Sequence, residues 1–318
     1  MAIRNRLTQT LGIEHLILLA PMDLVSGGRL AAAVSQAGGL GLLGGGYAND
    51  GDWIEREWDK AGNARIGCGF ITWSLAKRPE LLDTVQTAHR PASVMLSFGD
   101  PAPFAAAIKA AGASLICQVQ ILAQAHEAAA AGADVIVAQG TEAGGHGQSL
   151  PLFTLLPQVV DACPHIPVVA AGGIADGRGL AAAMMLGAEG VLMGTRFYAS
   201  QEADAHPDAK RRIVEAESGQ TVRSIVFDLA RRNRWPAPYT GRVLRNCLTE
   251  QWLGREADLE TAADTVAEDY AAARQRGDFD TAGVIAGEAC GLIHDIPPAR
   301  EIVERVVAEA ERLLAGRR

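Results

Sequence analysis

The sequence predicts an α/β protein: a closed (β/α)8 TIM barrel with a small α-helical accessory domain. Up to about residue 200, eight short apolar runs recur every 20 to 32 residues, each with little polar alternation. Such runs are typical of parallel strands buried on both faces. An open, doubly wound sheet is the alternative that the pattern leaves open. The runs are Leu16–Leu19, Leu40–Leu43, Ile66–Phe70, Ser93–Ser97, Ser114–Gln118, Asp134–Ala138, Ile166–Ala171 and Gly190–Met193.

Ala-rich helical patterns separate these runs, and many of the patterns close with glycine. A glycine just beyond a helix permits the left-handed conformation that ends it. The repeating unit is therefore a helix, a glycine stop and a strand. The clearest stops are Ala37-Gly38, Ala111-Gly112, Ala131-Gly132 and Leu186-Gly187, after helical patterns such as Leu30–Gln36, Phe104–Ala110, Leu122–Ala131 and Gly179–Leu186.

The alternation of strand and helix patterns ends after about residue 213, where charged residues become more frequent. We expect the barrel to comprise residues 1–213 and 280–318, and a helical accessory or lid domain to comprise residues 214–279. The tail is predicted to form two helices broken at Pro297-Pro298, and the amphipathic last helix is expected to pack on the barrel. Within the accessory domain, the predicted helices are Thr221–Arg232, Tyr239–Trp252 and Leu259–Arg276, with a breaker at Trp235-Pro236-Ala237-Pro238.

Composition limits the possible partners. The 318 residues carry a formal net charge of −8, which argues against an electrostatic nucleic-acid binder. No apolar run approaches the roughly 18 residues of a membrane span. Five widely spaced cysteines cannot all pair, so we expect thiols and a cytoplasmic location. The oligomeric state is left open, with a homodimer as one alternative.

Two glycine-bearing turns follow the seventh and eighth predicted strands. The first contains Gly172 and Gly173, and the second contains Gly194 and Thr195, 21 residues after Gly173. Loops at these two positions of a barrel often bind phosphate, because glycine lets backbone amides approach an anion. We therefore predict a phosphate site there. Asp176, just after the first turn, is interpreted as a helix N-cap.

The loop after the sixth strand places one histidine among small residues. It reads Gln139-Gly140-Thr141-Glu142-Ala143-Gly144-Gly145-His146-Gly147. An imidazole titrates near neutral pH and can take or give a proton above a bound ligand. A loop histidine that only bonds to backbone is the alternative, and the pattern alone does not decide. Glu142 is interpreted as structural or solvent-facing.

Two other strand ends carry candidates for cofactor contact. The first strand ends in Ala20-Pro21-Met22-Asp23, where the Pro21-Met22 corner suits a flat aromatic cofactor. Packing of Met22 in the core is the competing interpretation. Gln118 and Gln120 follow the fifth strand, where their amides suit either the polar edge of a heterocycle or solvent.

Taken together, these motifs resemble the nitronate monooxygenase family, formerly grouped as 2-nitropropane dioxygenases. The resemblance runs through about residues 1–200 in the family's order, and the histidine loop is its most specific part. Gly283–Ile293 resembles the family's pattern more weakly. The matching stretches are Ala20-Pro21-Met22, Val34–Tyr47, Ala138–Gly147, Ala170–Gly179 and Met193–Ala199.

The resemblance implies a TIM barrel with non-covalent FMN and an enzyme that oxidises alkyl nitronates with O₂. His146 matches the family's catalytic histidine, which acts as the base when a neutral nitroalkane is the substrate. The redox chemistry would belong to the cofactor. The implied cofactor-binding residues are Pro21, Met22, Gln118, Gln139, Gly140, Gly145, Gly172, Gly173, Gly194 and Thr195.

The sequence also departs from the family's pattern. Many relatives carry Asn at the end of strand three, where this chain has Ile66-Gly67-Cys68-Gly69-Phe70-Ile71, and some carry Lys at the position of Gln118. The main alternative is an NAD(P)H-dependent flavin reductase of the quinone or enoyl-ACP reductase type. Inosine monophosphate dehydrogenases need a cysteine in the loop after strand six, and residues 139–149 contain none. A catalytically silent flavin-binding protein is a further alternative.

Overall fold

Eleven strands occur in the computed structural model, which describes residues 3–47 and 51–316. Eight of them are parallel and form one sheet, and they correspond to the eight predicted runs. The strands are β1 (Ile17–Leu19), β2 (Leu42–Gly46), β3 (Gly67–Ile71), β4 (Ser93–Ser97), β5 (Ser114–Val119), β6 (Val135–Gln139), β7 (Gly145–Gly147), β8 (Val168–Ala171), β9 (Gly190–Met193), β10 (Thr221–Ser224) and β11 (Thr240–Leu244).

The large sheet closes on itself. Its strand order is β1-β9-β8-β6-β5-β4-β3-β2, so β1 and β2 are the two ends. Leu18 and Leu40 form a parallel bridge just before β2. The amide of Leu19 donates to the Leu40 carbonyl at 2.9 Å, and the amide of Leu40 donates to the Ile17 carbonyl at 3.0 Å. The (β/α)8 barrel is thus confirmed, and the open-sheet alternative is excluded.

Helices surround the barrel and continue into residues 214–279, which we call the accessory segment. Those around the barrel are α1 (Arg6–Leu11), α2 (Gly28–Gln36), α3 (Gly51–Ala61), α4 (Thr72–Leu75), α5 (Glu80–His89), α6 (Ala102–Ala110), α7 (Leu122–Ala130), α8 (Leu152–Ala162), α9 (Gly177–Met185), α10 (Thr195–Tyr198) and α11 (Pro207–Glu215). The others are α12 (Val226–Ala230), α13 (Cys247–Trp252), α14 (Glu256–Thr261), α15 (Ala263–Arg276), a 3-10 turn (Glu288–Leu292) and α16 (Ala299–Ala315).

Burial and backbone geometry explain why the predicted elements form. The barrel interior is filled by aliphatic side chains from alternating strand positions, and Leu7 and Leu11 of α1 pack into the same cluster. The other faces of the strands pack on the helices in a larger cluster. The predicted glycine stops are confirmed, since each has φ between 82° and 95°: Gly38, Gly112, Gly132 and Gly187.

The accessory segment differs from the helices predicted for it. Thr221–Ser224 and Thr240–Leu244 are strands β10 and β11, which form a three-stranded antiparallel sheet with β7 in the order β10-β11-β7. The predicted helices Thr221–Arg232 and Tyr239–Trp252 were therefore wrong in their first halves. In both, a strand of four or five residues stands just before a helix, and the short strand was interpreted as the first part of that helix. The domain limits at residues 213 and 280 stay a prediction.

The C-terminal helix packs back on the barrel, as predicted. It lies against α2 and α9, and Ile302, Val303 and Val306 are buried in the outer cluster. The Glu309 carboxylate accepts a hydrogen bond from the Gly177 amide at 2.9 Å, at the start of α9. Within the two described ranges, no helix is both long and apolar enough to cross a membrane.

Candidate active site

One cavity of about 330 Å³ lies at the carboxyl ends of the barrel strands. This volume falls within the range of about 300–1,000 Å³ that small-molecule sites occupy. The accessory segment forms part of its wall, through residues on β10, α12, β11 and α15. All but one of the sequence-predicted site residues line it, namely Pro21, Met22, Gln118, Gln139, Gly145, His146, Gly172, Gly173, Gly194 and Thr195.

Gly140 is the predicted site residue that does not line the cavity. It is buried, and a Cβ added to it would lie 2.5 Å from the backbone nitrogen of Leu152 and 2.3 Å from the Glu142 carboxylate. Both Glu142 carboxylate oxygens accept from the Leu152 amide at 3.0 Å, which confirms the structural interpretation of Glu142. The Gly140 amide donates to the Ala171 carbonyl at 2.9 Å. Glycine is needed at this position because the loop folds tightly over its own start.

The two predicted glycine turns lie side by side at the cavity wall. Gly172 and Gly173 have φ of 102° and 71°, a region that side chains with a Cβ rarely adopt. Gly194 precedes the short helix α10, which begins at Thr195. The side chain of Asp176 accepts from the amides of Arg178 and Gly179, so its predicted role as the N-cap of α9 is confirmed.

A chain of amide side chains connects the barrel strands to the histidine loop. The Gln139 Oε1 atom accepts from Gln118 Nε2 at 3.1 Å and from Gln120 Nε2 at 2.9 Å. Gln139 Nε2 in turn donates to the backbone carbonyl of His146 at 3.1 Å. Gln118 and Gln139 both face the cavity, whereas Gln120 is buried behind them.

These features fit a flat cofactor that carries a phosphate group. The adjacent glycine turns line the cavity, where glycine leaves backbone amides open to an anion. A Cβ on Gly172 would lie 2.9 Å from the Ala143 nitrogen of the neighbouring loop, so a larger residue does not fit there. Pro21 and Met22 give an apolar surface for a flat ring, and the two cavity-facing amides can bond to its polar edge. The residues that could hold the phosphate are thus Gly172, Gly173, Gly194 and Thr195, and those beside the ring are Pro21, Met22, Gln118 and Gln139.

His146 lies on β7 with its imidazole held on two sides. The ring stacks on Trp235, with centroids 3.4 Å apart and planes inclined by 7°. The Nε2 atom lies 2.9 Å from the Asp228 Oδ2 atom. The other Asp228 oxygen accepts from Arg231 Nη2 at 2.9 Å. The side chains of His146 and Asp228 are only 9% and 6% exposed, so this contact is nearly closed to solvent.

The surroundings of His146 shift its pKa below the ordinary value of 6.5. The largest cause is burial, which disfavours the charged imidazolium. The hydrogen bond and charge of Asp228 raise the pKa, while Arg231 and Arg223 lower it. An imidazole with a lowered pKa is neutral at physiological pH, and a neutral imidazole can accept a proton.

An aromatic cluster surrounds the imidazole and its stacking partner. Trp235 packs edge-on against Trp73, Phe98 and Tyr239, with centroids 5.1 to 6.2 Å apart. The Trp235 Nε1 atom donates to the Tyr47 hydroxyl at 2.9 Å. These contacts fix the Trp235 ring, and through it the plane of the His146 ring. We call Tyr47, Trp73, Phe98, Trp235 and Tyr239 the aromatic cluster.

Arg223 on β10 holds the backbone of the histidine loop. Its guanidinium donates to the carbonyls of Thr141 at 3.0 Å, Ala143 at 3.1 Å and Gly145 at 3.4 Å, and also to the Thr240 carbonyl on β11. Burial and the nearby Arg242 lower the pKa of Arg223 to about 10. The Nε atom of Arg242 donates to the same Thr141 carbonyl at 2.9 Å. Two arginines therefore fix the loop that carries His146.

Sequence reasoning missed the residues that surround the His146 ring. Asp228, Arg231 and Arg223 were given no role in the site, and Trp235 was interpreted only as part of a breaker. Asp228 stands in the otherwise apolar stretch from Ile225 to Ala230, three residues before Arg231. A carboxylate and an arginine at that spacing on a short apolar helix were the available signal. No pattern in the sequence indicates that they meet His146.

The chain matches the family model described as nitronate monooxygenase over residues 4–64 and 76–309. A relative named nitronate monooxygenase, from the fungus Metarhizium robertsii, is 36% identical over 95% of this chain and 92% of its own.

Two solved structures are similar over almost the whole chain. FabK from Thermotoga maritima is 33% identical, with a TM-score of 0.85 over 99% of this chain and 98% of its own. Nitroalkane oxidase from Streptomyces ansochromogenes is 26% identical, with a TM-score of 0.84 over 99% of this chain and 100% of its own. The fold and the family model therefore agree along the chain.

Proposed function

Because the chain belongs to the nitronate monooxygenase family, whose members are flavoproteins, we propose that it binds FMN and oxidises alkyl nitronates and neutral nitroalkanes with O₂. As a member of this family it is an oxidoreductase. The observation that carries the proposal is His146, a buried imidazole with a lowered pKa in the cavity that the two glycine turns also line.

The chemistry that bound FMN would supply is the transfer of electrons from the nitronate to O₂. The protein's own contribution is binding and proton transfer. A neutral nitroalkane becomes a nitronate when a base removes the proton from the carbon that bears the nitro group. His146 takes that proton, which leaves a nitronate anion and an imidazolium that Asp228 stabilises at 2.9 Å. A substrate that arrives as the nitronate needs no such step.

The closed surroundings support this assignment. The imidazole is 9% exposed and the aromatic cluster packs beside it, so little water competes for the proton. The cavity also contains Asp228 and Arg231 next to the histidine. The carboxylate would balance the positive charge that develops on the imidazole when it takes up the proton.

The test begins with the purified protein and one substitution. We expect a yellow protein that releases FMN on denaturation and consumes O₂ with both a nitroalkane and its preformed nitronate. His146→Asn should keep FMN and nitronate turnover but lower kcat/KM for the neutral nitroalkane by about 100-fold or more. A colourless protein that cannot be reconstituted with flavin contradicts the cofactor proposal. Unchanged nitroalkane turnover in His146→Asn contradicts the role of the base.

An NAD(P)H-dependent flavin reductase is the second candidate, favoured by the similarity to FabK, a flavin enoyl reductase. Anaerobic mixing separates the two functions. Rapid bleaching of the flavin by NADH supports the reductase, whereas bleaching only by a nitronate supports the monooxygenase. A panel of nitronates, NADH with a quinone, and an enoyl thioester, with O₂ uptake recorded, identifies the substrate class.

A further inference from the structure

We propose that Asp228 is a positioning residue that fixes the proton of neutral His146 on Nε2 and thereby makes Nδ1 the atom that takes the substrate proton. This inference rests on the proposed function, because it concerns the same proton transfer. It adds a residue from the accessory segment to a site otherwise built on the barrel. The evidence is the geometry of His146, Asp228 and Arg231.

The first step is the direction of the hydrogen bond to His146. Asp228 forms an ion pair with Arg231 at 2.9 Å, and an ionised carboxylate can only accept hydrogen bonds. The 2.9 Å contact between Asp228 Oδ2 and His146 Nε2 therefore requires a proton on Nε2. A neutral imidazole carries one proton, so the lone pair lies on Nδ1. Nδ1 is then the ring atom that can act as the base.

The second step is the rigidity of the carboxylate. Asp228 lies on α12, and the α12 residues Val226, Phe227 and Ala230 are buried in a hydrophobic cluster with residues of β10, β11 and α13–α15. The Asp228 amide donates to the Ile225 carbonyl at 3.0 Å, and its own carbonyl accepts from the Asn233 amide at 2.8 Å. With its side chain 6% exposed, the carboxylate has little freedom to rotate away from the imidazole.

The third step is the complementary role of Trp235. Stacking at 3.4 Å defines the plane of the His146 ring but allows rotation within that plane. The Asp228 contact removes that rotation. Both partners come from the accessory segment, so the segment determines how the imidazole is oriented as well as covering it. Charged groups acting on the ring are Asp228, Arg231 and Arg223, and the tyrosines that pack around Trp235 are Tyr47 and Tyr239.

The decisive substitution is Asp228→Asn, which keeps the shape and reverses the hydrogen bond. Arg231 only donates, so the Asn oxygen must stay on Arg231 and its NH₂ group must face His146 Nε2. Nε2 then has to accept, and the imidazole proton moves to Nδ1. We expect kcat/KM for a neutral nitroalkane to fall by about 100-fold or more, while turnover of the preformed nitronate changes by less than about threefold.

A second measurement determines directly which nitrogen of the His146 imidazole carries the proton. In the FMN-bound protein labelled with ¹⁵N-histidine, the His146 signals are identified by their loss in His146→Asn. Their chemical shifts should report a proton on Nε2 in the wild type and on Nδ1 in Asp228→Asn. Asp228→Glu retains a carboxylate and should recover part of the nitroalkane activity. Asp264→Asn is the matched control, since Asp264 is 90% exposed on the accessory segment and pairs with Arg232.

The outcomes separate this inference from the proposed function. If the wild type turns over neither substrate, the proposed function fails, yet the ¹⁵N spectra still decide the role of Asp228. A wild-type proton on Nδ1 overturns the inference without any variant. Equal losses for nitroalkane and nitronate in Asp228→Asn also overturn it, because they indicate only a structural role. Wild-type turnover of both substrates by Asp228→Asn also overturns the inference.

Discussion

At the scale of single residues, His146 is under two opposing influences. Burial lowers its pKa, and the adjacent Asp228 carboxylate raises it, with burial the larger effect. A strongly raised pKa would leave the ring protonated and unable to act as a base at neutral pH. Loss of Asp228 would leave the newly formed imidazolium without a counter-charge. The site thus combines a neutral imidazole with an adjacent carboxylate that can balance a positive charge on the ring.

This balance predicts a pH profile. For a neutral nitroalkane, kcat/KM should be level from about pH 7 upward and fall only through a pKa below 6.5, since a base with a lowered pKa stays unprotonated to lower pH. Initial rates of O₂ uptake across the pH range measure this. The preformed nitronate is the control, because its oxidation needs no proton removal by His146. An inflection above 6.5 would contradict the assignment.

At the scale of elements, the small sheet β10-β11-β7 connects the accessory segment to the histidine loop. His146 pairs with Gly241 of β11, where the absence of a side chain lets the imidazole lie close to the partner strand. Arg223 then crosses from β10 to bind the loop carbonyls. A Gly-rich loop such as Gly144–Gly147 has high conformational entropy when free. The sheet and the guanidinium together fix it in one conformation.

Removing the guanidinium should therefore disorder the loop. Arg223→Met leaves buried carbonyls without their donor, so we expect the free energy of unfolding to fall by about 2–3 kcal/mol. Nitroalkane turnover should fall as well. Arg223→Lys should recover little, because an ammonium cannot reproduce the planar fork of donors. Thermal unfolding and steady-state kinetics measure the two effects.

Arg245, next to β11, is exposed and gives a matched control. Arg245→Met should change neither the free energy of unfolding nor nitroalkane turnover, and an equal loss there would contradict the special role of Arg223.

The same elements mark the limit of what the sequence predicts. The eight barrel strands could be predicted because each is a continuous apolar run followed by a helix with a glycine stop. Most of the cavity residues could be predicted as well, since the carboxyl ends of the barrel strands meet at one face. β7 gives no such signal, because two of its three residues are glycine, which is depleted in strands. Its strand form depends on β11, almost one hundred residues away, and so does the meeting of His146 with Asp228 and Trp235.

At the scale of the whole molecule, the same fold occurs in proteins with different names. The chain is similar over nearly its full length to both a nitroalkane oxidase and FabK. The barrel therefore supplies the cavity, while the side chains around the histidine determine which reaction is possible. In this chain those side chains come from the barrel and from the accessory segment together, so the geometry of the site depends on how these two parts meet.

The C-terminal helix α16 tests how far stability and chemistry are separate. It packs between α2 and α9 on the outside of the barrel, and Ile302 is 2% exposed in the outer cluster. Ile302→Ala should lower the free energy of unfolding by about 2–5 kcal/mol, because it removes buried methyl groups and leaves a cavity. Denaturant unfolding measures the loss.

Flavin affinity and nitroalkane KM should stay at wild-type values at 25 °C, since no residue of α16 lines the cavity. Glu304→Ala, at an exposed position of the same helix, should change stability by less than about 0.5 kcal/mol. A loss of flavin affinity in Ile302→Ala would mean that the packing of α16 reaches the cavity through α9 and the adjoining glycine turn.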